Sequence, residues 1–147
     1  MDYGTAFRIS AAGMSLEKAR VDVTALNIAN MNSTKPLNGA GYQPLRVVSA
    51  TQPVQGFGAI FEARGGAAGL SMPAGVQVEA TQAAPRMVHE PGHPDADDRG
   101  FVTYPGVNHT GEMVNLVTAM RAYEANVVAM NAAKTMALKA LDIGGGS

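Results

Sequence analysis

The sequence predicts an α+β protein in which long N- and C-terminal α-helices pack as a coiled-coil-like pair beside a small β-rich, Pro/Gly-rich middle module. Three observations predict it. Apolar positions near both ends repeat with alternating spacings of 3 and 4, the period of a helix seam. All 8 prolines fall between residues 35 and 106, so neither end carries a helix breaker. Residues 75–80 (GVQVEA) alternate with period 2, as a half-buried strand does.

The first element is a helix over residues 5–30. Ile9, Ala12, Leu16, Ala19, Val23 and Leu26 are spaced 3, 4, 3, 4 and 3 apart, which sets them on one stripe. Arg8, Glu17, Lys18, Arg20 and Asp22 fill the other positions, and Asn30 and Asn32 end the run. Ser10, Ala11, Ala12, Gly13 and Ser15 make one stretch thin enough for another backbone to approach. Gly13 costs about 1 kcal/mol of helix propensity relative to Ala, which favours a packing role over a merely tolerated glycine.

Residues 35–106 change character. Short apolar runs at 46–49, 58–61 and 101–104 read as strands separated by turns, and residues 64–69 (RGGAAG) read as a flexible loop. The final element is a helix within residues 107–143, capped by Thr110, with Glu112 at the positive end of its dipole. Met113, Leu116, Met120, Tyr123, Val127, Met130, Ala137 and Leu141 keep the alternation, and Lys134 occupies the one position that breaks it. Residues 144–147 read as a flexible tail. The division is therefore 1–34, 35–106, 107–143 and the tail.

Composition narrows function. In 147 residues there are 11 Lys plus Arg against 12 Asp plus Glu, so no basic field for nucleic acid exists. The absence of Cys removes thiol catalysis, disulfides and thiolate metal sites. No window reaches the roughly 20 continuous apolar residues of a membrane-spanning helix, and the start lacks the charged, apolar and small-residue regions of a cleaved secretory signal. Nine methionines and no Trp suit long adaptable helix faces.

No nucleophile elbow, phosphate loop or dinucleotide fingerprint is present, so the chain is expected to be no enzyme and to hold no cofactor. His89 and His93 have helical ligand spacing, but Pro91, Gly92 and Pro94 forbid that helix. The segment 95–100 (DADDRG) begins like a calcium loop, yet Arg99 takes a ligand position and Gly106 stands where the bidentate Glu belongs. A tight turn closed by Asp97 or Asp98 on backbone N–H groups is the better reading. Asn27, Asn30 and Asn126 have two open readings, as buried amides that fix helix register or as helix-surface and capping residues.

Two long helices that bury one stripe each on one another leave much apolar surface, so neighbouring subunits are expected to cover the rest and to order both ends on assembly. A soluble helical adaptor or export chaperone is the alternative, although adaptors rarely carry a Pro/Gly-rich insert of this size. A metal-dependent hydrolase built on the His and Asp loop ranks below both.

The residues also resemble a known family. Residues 25–30 (ALNIAN), with Asn27 and Asn30, resemble the A-x-N-[IL]-A-N signature that ends the first helix of bacterial flagellar rod and hook axial proteins. Residues 112–143 resemble that family's terminal helix, with its aromatic-x-Ala-Asn step at Tyr123 and Asn126. Within the family the match narrows to proximal rod subunits, because residues 91–107 (PGHPDADDRGFVTYPGV), including His93, Pro94, Asp95, Asp97 and Gly100, are similar to the segment preceding their last helix. The resemblance covers residues 4–48 and 87–143. Met31 and the run Gln43, Pro44, Leu45 depart from its pattern. It implies a structural subunit of the flagellar basal body, exported by the flagellar type III apparatus without cleavage. Such a subunit self-assembles in the periplasmic rod and transmits torque from motor to hook. Its implied partners are itself, other rod subunits and basal-body proteins, with no nucleic acid and no membrane insertion.

Overall fold

The computed structural model describes residues 3–36, 39–53 and 71–145. The elements run α1 (Tyr3–Asn30), β1 (Leu45–Pro53), β2 (Ser71–Ala80), β3 (Arg86–His89), β4 (Phe101–Tyr104) and α2 (His109–Gly145). This is the expected α+β class, with two long terminal helices and short strands between them. The expected run at 58–61 and the expected loop at 64–69 lie outside the described residues.

Both helices are longer than the pattern predicts. α1 spans 28 residues from Tyr3 rather than from Thr5, and α2 spans 37 residues. Thr110 is not the cap of α2, because it already lies inside the helix. Asn108 does that work instead, its Oδ1 accepting the N–H of Gly111 at 3.1 Å while its carbonyl accepts the N–H of Glu112 at 2.9 Å, which satisfies two of the free donors of the first turn. Nor does α2 stop at residue 143: helix formers from Lys134 to Ile143 carry it through Gly144 and Gly145.

Packing divides the chain into two compact units. One comprises Met1–Lys18, Val48–Gln77 and Met120–Ser147. Here the helices touch at Gly13, where an added Cβ would lie 2.7 Å from Asn126 Oδ1 and 3.0 Å from its Cγ. The thin stretch of α1 thus has a packing reason.

The other unit comprises Ala19–Val47 and Val78–Ala119. It holds the antiparallel pair β3–β4, in register Arg86↔Tyr104, Met87↔Thr103, Val88↔Val102 and His89↔Phe101. β3 was not expected from the sequence, since RMVH has polar ends and too few residues to show a period. Val102 is fully buried. The end pairs stack across the strands, with the Arg86 guanidinium 5.1 Å from the Tyr104 ring centre and His89 edge-on to Phe101 at 5.0 Å. The segment leaving α1 joins this ribbon through the N–H of Lys35, which donates to the Thr103 carbonyl at 2.9 Å.

The remaining strands, β1 and β2, form a separate two-stranded sheet. The alternating side chains of residues 75–80 are all exposed, so the period-2 pattern marks a strand without a covered face in this chain.

Candidate functional site

Asn27 is the polar centre of the second unit. Only 1% of its surface is exposed, and its amide is fully engaged. Its Nδ2 donates to the Leu45 carbonyl at 2.8 Å and to Glu112 Oε1 at 3.3 Å. Its Oδ1 accepts the Leu45 N–H at 2.8 Å and the Tyr42 hydroxyl at 2.8 Å. One side chain therefore joins the last turn of α1, the start of β1 and the first turn of α2. Of the two readings for this residue, the structure shows the buried amide. Burial and then the nearby Glu112 carboxylate raise the Tyr42 phenol above its ordinary value, so Tyr42 stays a donor.

Asn30 behaves differently. Its Nδ2 donates back to the Leu26 carbonyl at 2.9 Å, which makes it an end-of-helix residue. Asn126 is half-buried, donating to the Ala122 carbonyl of its own helix at 2.9 Å while its carboxamide sits against Gly13.

The motif before α2 is a built turn. Asp97 Oδ1 accepts the N–H groups of Arg99 and Phe101 at 2.9 and 2.8 Å, and the Gly100 N–H donates to the Asp97 carbonyl at 2.8 Å. Gly100 has φ of +79°, a conformation that glycine adopts without strain. The Asp95 N–H donates to His93 Nδ1 at 3.1 Å, and the Asp95 carboxylate accepts the Thr34 hydroxyl. His93 thus closes the turn on Asp95, and the Asp95 carboxylate ties the turn to Thr34 in the segment that follows α1. Pro94 is exposed in this turn. Among the described residues no three His, Cys, Asp or Glu side chains gather as metal ligands.

The apolar stripes sit otherwise than a simple helix pair requires. Val23 is buried, and Ala12, Leu16, Ala19, Leu116, Val127, Met130 and Ala137 are half-buried. Ile9, Leu26, Met113, Met120, Tyr123 and Leu141 are exposed. The most buried row of α1 lies one position away, at Ser10, Glu17 and Thr24, and on α2 the buried positions are Ala119 and Ala133. Small and polar residues thus share the interior with Val23, and at Gly13 the missing side chain is what lets Asn126 approach.

α2 is apolar on more than one side. Beyond the stripe, Val114, Val117, Val128, Met136 and Ile143 are exposed as well. Spaced at about 100° per residue, these residues and the stripe occupy different sides of the helix.

Two family models match the ends of the chain. One, described as flagella basal body rod protein, covers residues 7–35, and one, described as flagellar basal body rod FlgEFG protein C-terminal, covers residues 98–143. These intervals contain Asn27 and Asn126. The flagellar basal-body rod protein FlgC of Bacillus subtilis (strain 168) is 38% identical over 145 residues, spanning 92% of this chain and 94% of that protein. That of Yersinia enterocolitica is 36% identical over 140 residues, spanning 94% and 95%. That of Borreliella burgdorferi is 29% identical over 148 residues, spanning 95% of each. Neither the adaptor or chaperone reading nor the hydrolase reading has a counterpart among these proteins. The chain belongs to the FlgC family of flagellar basal-body rod proteins, and is a structural subunit of the bacterial flagellar rod rather than an enzyme.

Proposed function

We propose that the chain self-assembles with other rod subunits and basal-body proteins through the outward faces of α1 and α2, building the proximal part of the rod that carries torque from motor to hook. The observation that carries this reading is the apolar surface left on α2, from Met113, 40% exposed, to Ile143, 83% exposed. A helix apolar on several sides belongs in a packed interior, and one intrachain neighbour covers one side. Ile9, Leu26, Met113, Met120, Tyr123 and Leu141 are assigned to contacts with neighbouring subunits. Leu16, Val23, Leu116, Met130 and Ala137, with Ala12, Ala19 and Val127, are assigned to packing within the chain.

Family membership supports a periplasmic position in the rod and export through the flagellar type III apparatus without cleavage. Torque asks the subunit to resist sliding between its helices, and the Asn27 and Asn126 contacts suit that demand because amide geometry fixes one register.

Leu26→Asp and Met120→Asp test the assignment. Both side chains are about half exposed in the single chain, so the helicity of each isolated variant is expected to match the parent. Inside a packed rod each would bury an unpaired charge, and cells carrying either variant are expected to lose rod, hook and swimming. Normal swimming in both would overturn the interface.

A further inference from the structure

We propose that Met120 and Met136 are oxidisable sites whose conversion to sulfoxide excludes a chain from the rod. The inference rests on the assembly reading of the exposed helix faces. The protein has no Cys, so thioethers are the only sulfur available to an oxidant. Met120 and Met136 are 50% and 51% exposed, whereas Met130, between them on the same helix, is half-buried. Sixteen residues separate the two exposed methionines, which places them about 160° apart around α2. They therefore mark two sides of the helix.

The chemistry is an oxygen transfer from a peroxide. The sulfur lone pair attacks one peroxide oxygen, the O–O bond breaks and an S–O bond forms. The sulfur is oxidised by two electrons and hydrogen peroxide is reduced to water. The product is polar where the thioether was apolar, and thiol-dependent sulfoxide reductases reverse it. An unassembled chain presents both sulfurs to solvent. After oxidation each side of α2 carries a strong acceptor that an apolar neighbour cannot satisfy.

The first test uses the purified full chain, hydrogen peroxide and peptide mass spectrometry. Met120 and Met136 are expected to convert at least threefold faster than Met130, and equal rates would overturn the proposal. The second compares two double variants in cells. Met120→Leu/Met136→Leu, which keeps volume and apolarity, is read against its own unpulsed culture, and a peroxide pulse is expected to lower its number of basal bodies less than it lowers the parent's. Met120→Gln/Met136→Gln, which imitates the polarity of the sulfoxide, is expected to reduce the number of basal bodies at least tenfold. In the parent strain pulsed with peroxide, sulfoxide at these two positions should be at least fivefold scarcer in isolated basal bodies than in the unassembled pool. Parent chain present in basal bodies with equal sulfoxide in both pools, or a Gln double variant that swims normally, would overturn this proposal alone. Parent chain absent from basal bodies would overturn the assembly reading beneath it.

Discussion

Asn27 and Leu45 exchange two hydrogen bonds, the Asn27 amide giving one to the Leu45 carbonyl and taking one from the Leu45 N–H, each at 2.8 Å. A side chain on a helix thereby completes the backbone pairing of a strand's first residue. The remaining hydrogen of the amide and the remaining lone pair reach Glu112 and Tyr42. Among the described residues no buried side-chain nitrogen or oxygen lacks a partner, so the cluster is satisfied as well as buried.

Replacing Asn27 by Ala is therefore expected to cost more than a single hydrogen bond. It strands the part-buried Leu45 N–H and carbonyl, and each unsatisfied group costs about 1–3 kcal/mol where water does not reach it. A loss of about 2–4 kcal/mol in urea unfolding is the expected outcome. A loss under 1 kcal/mol would show that water replaces the amide.

Tyr42→Phe removes one donor to Asn27 and is expected to cost about 1 kcal/mol at neutral pH. Its pH dependence is more informative. The phenol's pKa is raised in the folded chain, by burial first and by Glu112 second. The unfolded chain therefore releases the proton at a lower pH than the folded chain does. The stability this contributes is complete below pH about 10 and declines as pH rises beyond it. Tyr104 is shifted the same way by desolvation, its hydrogen bond to Glu90 and the Glu90 charge, against the Arg86 guanidinium. Urea midpoints between pH 8 and 11 are expected to fall less steeply in Tyr42→Phe than in the parent, and least in the double variant with Tyr104→Phe.

Gly106→Ala is expected to be among the most damaging small substitutions. Its new Cβ would collide with the Ala84 carbonyl oxygen and lie 3.1 Å from the Ala84 carbonyl carbon. Backbone cannot yield as a flexible side chain does, and a loss of about 1–3 kcal/mol follows. Gly75→Ala, which meets nothing within 4 Å, is the control and should change the urea midpoint little. Gly13→Ala should fall between them. It displaces the Asn126 carboxamide, yet it gains about 1 kcal/mol of helix propensity.

The helices were legible in the sequence because their signal is additive over many residues, from Ile9 to Leu26 and from Met113 to Leu141. The period does not tell which stripe residues turn inward within one chain: Val23 is buried and Leu26 half exposed, while polar Ser10, Glu17 and Thr24 are buried beside the stripe. The turn at Asp97 and Gly100 was legible because turn chemistry is local. The cap was not legible because Asn108 and Thr110 are both capping residue types two positions apart, and residue type alone does not say which one starts the helix; β3 is too short to show a period. Which of Asn27, Asn30 and Asn126 would be buried was not legible at all, since the partners of Asn27 come from residues 15, 18 and 85 positions away.

The exposed apolar faces of α1 and α2 are expected to be covered in the rod. The absence of native cysteine makes a direct measurement available through the single variants Leu26→Cys, Met120→Cys and Leu141→Cys, labelled with a maleimide in the isolated chain and in purified basal bodies. All three are expected to label freely in the isolated chain and at least tenfold more slowly in basal bodies. Equal labelling rates in the two preparations would contradict that expectation.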